Sequence, residues 1–220
     1  MDNLAFFLLI ISESDRRGIS LGDYPQGIEY LQQSLTIAGK IGNRNGEASA
    51  LGNLGLASYS LGDYPQAKEY HQQHLTIARE IGDRNGEGTA LGNLGLASYS
   101  LGDYSQAKEY HQQSLTIARL IGDRNGEGTA LGNLGETLFK LEQYSESLKY
   151  SQAALNIFIK IGYRSFEAMT RNNLAHLYHK LGDLEQAIEY CNQALAIATE
   201  LDIPIAKECQ ELKEKLLSES

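Results

Sequence analysis

The sequence repeats with a period of forty residues, and no other feature constrains the fold as strongly. The block 51–90 recurs at 91–130, and the two copies differ only at Pro65/Ser105, His74/Ser114 and Glu80/Leu120. Weaker copies flank them, with one tyrosine recurring at Tyr30, Tyr70, Tyr110, Tyr150 and Tyr190. A repeat of this length is a supersecondary unit that cannot bury its apolar face alone. We therefore expect the units to stack on their neighbours.

Each unit carries the signals of two helices. In the best-defined unit, apolar residues at three- and four-residue steps predict a first helix over about residues 84–101. Gly102 then supplies a left-handed stop and Asp103 an N-cap, and a second helix runs to about Ile121. The same pattern predicts helix pairs at about 4–41, 44–81, 84–121, 124–161 and 164–201.

The two ends depart from the pattern. Residues 1–20 are predicted to form an atypical N-terminal capping helix, whose apolar run Phe6–Ile11 covers the open end of the core; a frayed helix is the alternative. Residues 21–202 are predicted to form the repeat array. Residues 203–220 are predicted to form a C-terminal capping helix, because one side is apolar and the others are polar.

Composition excludes several classes of protein. A hydrophobic content of 42% is too high for wholesale disorder. The formal net charge of −9 disfavours nucleic acid and anionic membranes as partners. The apolar run near the N-terminus is shorter than the roughly 20 residues of a membrane span, and no basic segment precedes it. We expect a cytoplasmic protein whose two cysteines, Cys191 and Cys209, are reduced and partly buried.

The repeats resemble the tetratricopeptide repeat. Leu54-Gly55 and Ala67, together with Leu94-Gly95 and Ala107, match its signature. The Trp site of the signature holds leucine, and the Phe site holds His71, His111, Ser151 or Cys191. The forty-residue form is similar to the repeats of kinesin light chain and of the Pins/LGN-type scaffolds. The resemblance implies an all-α fold, a right-handed solenoid of antiparallel helix pairs that binds peptides or partner proteins.

The resemblance also implies that the first helix of each pair lines a concave, partner-binding surface. One predicted ladder on this surface is Asn53, Asn93, Asn133 and Asn173. A second is Tyr59, Tyr99, Phe139 and His179, and a third is Leu56, Leu96, Glu136 and His176. Thr89, Thr129 and Lys140 complete the predicted surface.

The asparagine ladder has two possible roles. A side-chain amide offers a donor and an acceptor together, which suits the backbone of an extended peptide. Alternatively, each amide bonds the neighbouring helix and braces the stack. Gly92 is predicted to leave room for a ligand, and Gly95 to permit close helix approach.

We expect no enzyme activity, metal or cofactor. His71 and His74 are spaced like metal ligands but have no carboxylate or thiolate partner in register, and no catalytic triad is present. The predicted function is a scaffold or adaptor that holds a protein or extended peptide. The alternatives are a sensory or regulatory module that binds a signal peptide or self-associates, and a structural spacer.

Overall fold

A computed structural model describes residues 24–218, with side chains from residue 27 onward. The capping helix predicted for residues 1–20 lies outside this range. The helices are α1 (Tyr24–Lys40), α2 (Arg44–Ser60), α3 (Tyr64–Glu80), α4 (Arg84–Ser100), α5 (Tyr104–Ile121), α6 (Arg124–Lys140), α7 (Tyr144–Ile161), α8 (Arg164–Lys180), α9 (Leu184–Glu200) and α10 (Ile205–Ser218). The described part of the chain contains no strand, and the predicted all-α repeat fold is confirmed.

Contacts divide the chain into two compact units. Of the described residues, 24–126 belong to what we call the N-terminal unit and 127–218 to the C-terminal unit. Within each unit, consecutive helices pack against one another across turns of a few residues. None of the helices in residues 24–218 has the length and apolar character needed to cross a bilayer.

The turns explain why the helices end where they do. Gly102 adopts φ 80°, a left-handed conformation that glycine reaches without steric cost, and it reverses the chain after α4. The Asp103 carboxylate then accepts a hydrogen bond from the backbone N–H of Gln106 at 3.1 Å, which caps α5. The predicted stop and cap are confirmed. Equivalent caps are made by Asn43, Asp63, Asp83, Asp123 and Asp183.

The core of the N-terminal unit is built from the apolar face of each first helix and the facing side of the second. One of its buried clusters is Leu75, Ala90, Leu91, Leu94 and Ile117. Two histidines complete the interior, since His71 and His111 are each 1% exposed. Their rings pack against Gly55 and Gly95, where no side chain intervenes.

In the C-terminal unit, α10 closes the apolar face of α8 and α9. The shared cluster is Ala175, Ala187, Cys191, Leu212 and Leu216. Both thiols are buried and free, and the Cys191 S–H donates to the Cys209 carbonyl oxygen at 3.2 Å. Burial raises the pKa of the Cys209 thiol to about 12, so this thiol is held in its unreactive protonated form.

Candidate partner-binding surface

The first helices of the pairs, α2, α4, α6 and α8, each keep one partly exposed row of residues, which we call the accessible strip. On α4 it holds Asn85, Thr89, Asn93 and Ser100, spaced four to seven residues apart. Most residues between them are buried, among them Leu91, Leu94 and Ala97. The strip lies on the side that the core does not use, because three- and four-residue steps keep residues on one helix face.

The accessible strip of the N-terminal unit is uncharged along α2 and α4. Asn53 is exposed and Asn93 is half-buried. Among the described residues, neither side-chain amide forms a hydrogen bond. Thr89 is also exposed. The amide donors and acceptors of this strip are therefore available to a partner, and the N-terminal unit offers no sign that these asparagines brace the stack.

The tyrosines predicted beside them lie mostly inside the unit. Tyr59 is 5% exposed and Tyr99 is 9% exposed. The Tyr59 ring packs on Tyr64 at 5.1 Å between centroids, and its hydroxyl is 2.8 Å from the Ser100 hydroxyl. The Tyr99 ring packs in the same way on Tyr104, so both rings lie in contacts between neighbouring helices. Of the leucines predicted here, Leu56 is half-buried, whereas Leu96 is 8% exposed.

The two glycines of α4 differ in what they face. A Cβ placed on Gly95 would lie 2.3 Å from the His111 ring, so the predicted close approach is confirmed. The prediction that Gly92 leaves room for a ligand is wrong. A Cβ on Gly92 would point at Ser114 of the same pair, 3.5 Å from its Oγ, rather than outward. Sequence spacing could not separate these cases, because it does not fix the direction of a neighbouring helix.

The strip changes character in the C-terminal unit. On α6, Thr129 and Glu136 are half-buried, Lys140 is exposed and Asn133 is 5% exposed. Phe139 is half-buried, with its ring centroid 5.6 Å from that of Tyr144. On α6 the predicted ladder asparagine is thus buried, and the residues of this helix that stay at least partly exposed include the charged Glu136 and Lys140.

On α8 the strip adjoins an ion-pair network. Asn173, His176 and His179 are half-buried. Arg171 donates to Glu167 through Nη2 at 2.8 Å and also contacts Gln193 of α9. Glu167, 6% exposed, also pairs with Arg164 at 3.3 Å. The Glu167 carboxylate neutralises the charge of Arg171 and holds its guanidinium group in place.

A neighbouring asparagine that the sequence analysis did not select has a structural role. Asn172 is fully buried, and its amide nitrogen donates to the Glu208 carboxylate of α10 at 2.8 Å. His176 Nε2 lies 3.6 Å from the same carboxylate. Asn172 therefore braces α8 against α10. In the sequence, the signal for this contact would have been Glu208, a polar residue on the predicted C-terminal helix that could accept a hydrogen bond from Asn172.

A similar ion pair lies at the start of α4. Glu87 is 5% exposed and accepts from Arg79 at 2.8 Å and from Arg84 at 2.6 Å. Burial alone would raise the pKa of Glu87, but the hydrogen bonds from the two arginines bring it below its ordinary value. Across residues 24–218, no group of three or more His, Cys, Asp or Glu side chains is placed to hold a metal ion.

Comparison with known proteins agrees with this architecture. A model of the tetratricopeptide repeat family matches residues 19–80, 46–120 and 126–200. The chain belongs to the tetratricopeptide repeat family. Repeats of this family generally serve as non-enzymatic scaffolds. A search of curated protein sequences found no match.

Three solved structures illustrate the fold. BtubC (BKLC) from P. vanneervenii is 18% identical over 89% of this chain and 91% of that one, with a TM-score of 0.70. Aspartyl phosphate phosphatase F from Bacillus subtilis is 18% identical over 90% and 54%, with a TM-score of 0.81. A Pyrococcus horikoshii signal transduction ATPase with a tetratricopeptide repeat sensor is 23% identical over 89% and 31%, with a TM-score of 0.77.

Proposed function

We propose that this tetratricopeptide repeat protein is a non-enzymatic scaffold that holds an extended segment of a partner protein along the accessible strip of its N-terminal unit. The observation that carries the proposal is the state of Asn53 and Asn93. Their amides are at least partly exposed and make no hydrogen bond among the described residues. A peptide backbone presents alternating N–H and C=O groups, and a primary amide can pair with both.

The uncharged strip of the N-terminal unit supports binding that depends little on the partner's sequence. A charged strip would require complementary charges, but α2 and α4 present only amide, hydroxyl, aliphatic and glycine groups there. The C-terminal unit differs, because Glu136 and Lys140 add charge. We infer that backbone recognition belongs to the N-terminal unit and that discrimination between partners belongs to the C-terminal unit.

The test compares two matched double variants of the immobilised chain. Asn53→Ala/Asn93→Ala removes the amides of the strip, whereas Gln72→Ala/Gln112→Ala removes two exposed amides from the second helices. Partners captured from lysate are identified, and their binding segments are remade as peptides for affinity measurement. Each lost hydrogen bond removes about 1 kcal/mol. We expect binding to weaken roughly tenfold or more in the first variant and to persist in the second.

Other outcomes would redirect the proposal. Equal weakening in both variants would contradict use of the strip. Binding that survives both variants would place the partner on another surface. Concentration-dependent association of the chain with itself, detected by light scattering and lost in the strip variant, would favour the self-associating module over a scaffold for an extended segment.

A further inference from the structure

The N-terminal unit buries three histidines. His71 and His111 are each 1% exposed and His74 is 9% exposed. His71 and His111 occupy equivalent positions of the two near-identical repeats. The histidines of the C-terminal unit, His176 and His179, are half-buried on the accessible strip and so remain in contact with water. Buried imidazole is therefore a property of one unit.

The rings of His71 and His111 fill space that a glycine leaves open. A Cβ on Gly55 would lie 2.4 Å from the His71 ring, and one on Gly95 would lie 2.3 Å from the His111 ring. Each ring thus lies directly against the backbone of the first helix. A ring that must move or take up solvent can do so only if the two helices of the pair separate.

Protonation of these rings has no local compensation. Nδ1 of His71, His74 and His111 is buried and has no hydrogen-bond partner. Both nitrogens of an imidazolium are donors, whereas neutral imidazole needs only one. A proton taken up in place would therefore leave a charged, buried N–H group without an acceptor, which is strongly unfavourable.

For His71 and His111, nearby charges do not offset this cost. Burial disfavours protonation of His71 and His74 most, and His74 disfavours that of His71 further, whereas Asp83 in the turn after α3 favours protonation of His74. At His111, burial is the cause that lowers the pKa. The ions of the helices packed against these rings pair with other groups: on α2, Arg44 pairs with Glu47.

The corresponding ions on α4 are paired too. Arg84 and Glu87 pair with each other, and Glu87 also pairs with Arg79. In the described part of the chain, none of these three charged groups contributes to the pKa shift of His71 or His111.

In the C-terminal unit, the equivalent contact between the two helices of a pair contains no titratable ring. Ser151 faces Gly135, with its Oγ 2.3 Å from where a Cβ on that glycine would lie. Cys191 and Ala175 occupy the next equivalent pair of positions and belong to one buried cluster. Neither a serine hydroxyl nor the Cys191 thiol, whose pKa burial raises, changes charge in mildly acidic solution.

We propose that the N-terminal unit contains an acid-triggered opening device: proton uptake by His71, His74 and His111 separates α3 and α5 from α2 and α4, while the C-terminal unit stays folded. The opening disrupts the uncharged strip on α2 and α4 and leaves the strip on α8 intact. The device does not depend on which partner the chain binds.

The pH window follows from the histidines. The pKa of His71 and of His111 is about 3 in the folded chain, below the ordinary value of 6.5, and that of His74 is also lowered. The unfolded chain therefore binds more protons between these values. The stabilisation is fully present above pH 6.5 and is lost as the pH falls from 6.5 toward 3. Each such histidine lowers the folded-to-unfolded ratio about tenfold per pH unit.

The test is hydrogen exchange of the full chain, resolved by mass spectrometry, at pH 6.5 and pH 5.0 with correction for the intrinsic exchange rate. A triple variant, His71→Ser/His74→Ser/His111→Ser, copies Ser151 and Ser114, which stand at the equivalent positions. In the wild type, we expect protection in α2–α5 to fall about a hundredfold or more on acidification. Protection in α8–α10 should change little, and the variant should lose most of the pH dependence.

Three results would overturn the proposal: no loss of protection in α2–α5 at pH 5.0, an equal loss in both units, or an undiminished loss in the variant. If the triple variant does not fold, NMR titration of the wild-type chain provides the test. Ring resonances of His71 and His111 that titrate near pH 6 in the folded chain would contradict the device. Rings that stay neutral until α2–α5 open would support it.

Discussion

The two units build the same repeat with different pairs of residues at one contact between helices. The N-terminal unit places a large ring over a bare backbone, as in Gly95 and His111. The C-terminal unit uses Gly135 with Ser151, and then Ala175 with Cys191. The side chains differ in size, from a histidine ring to a serine hydroxymethyl group, yet the two positions of each pair pack together. The comparison teaches that this site selects complementary pairs rather than a fixed residue, since interiors are close-packed.

The largest expected effect is the loss of that complementarity. Gly95→Ala introduces a Cβ where ring atoms of His111 lie 2.3 to 2.8 Å away, so the helices must move apart. We expect about 3 kcal/mol of destabilisation in urea unfolding. Gly92→Ala is the matched control three residues earlier. Its Cβ would make an ordinary contact with Ser114, and the better helix propensity of alanine should offset any loss.

A rescue sharpens this result. Gly95→Ala/His111→Cys recreates the Ala175 and Cys191 pair of the C-terminal unit inside the N-terminal unit. We expect urea unfolding to show the double variant roughly 2 kcal/mol more stable than Gly95→Ala alone, and a double-mutant cycle that includes His111→Cys to show coupling between the two positions. Additive effects would mean that the contact between positions 95 and 111 does not determine the stability of the pair.

A second comparison concerns the buried acids of the two units. Glu167→Gln should cost about 2 kcal/mol, because the Arg171 side chain is only 16% exposed and loses its counter-ion. Glu87→Gln should cost about 1 kcal/mol or less, since its partners Arg79 and Arg84 are about half exposed and water can solvate them. Thermal unfolding of the two variants ranks these costs. A larger cost for Glu87→Gln than for Glu167→Gln would show that solvent exposure of the arginines does not determine the destabilisation.

The last comparison concerns a turn. The α4–α5 turn contains Gly102 and Asp103, whereas the α6–α7 turn has Glu142 at φ 58° and Gln143, which makes no side-chain cap. Glu142→Gly/Gln143→Asp should stabilise the chain by about 1 to 2 kcal/mol by removing left-handed strain and adding a cap. Differential scanning calorimetry measures the shift.

A matched change at the next turn provides the control. Tyr163→Asp also supplies a capping residue but removes a ring that packs on Phe166 at 4.5 Å, so it should give no gain. Stabilisation by both changes would show that the ring contact of Tyr163 contributes nothing.

Much of the fold could be predicted from the sequence, because the signals act locally. The forty-residue period, Gly102 and Asp103 place the helix ends within about one residue of those observed. The site was only partly predictable. Spacing selected the face with Thr89 and Asn93, but it did not show that Tyr59 lies inside the unit.

The sequence by itself determined the repeat, the helix pairs and the face of each first helix that the core leaves open, since periodicity and capping depend on residues close in the chain. Only the tertiary structure decided which groups on that face remain available. Asn172 and Asn173 are adjacent, yet the first is buried against Glu208 and the second is half-buried. One residue turns the side chain by about 100°, and the position of α10 then determines which asparagine it covers.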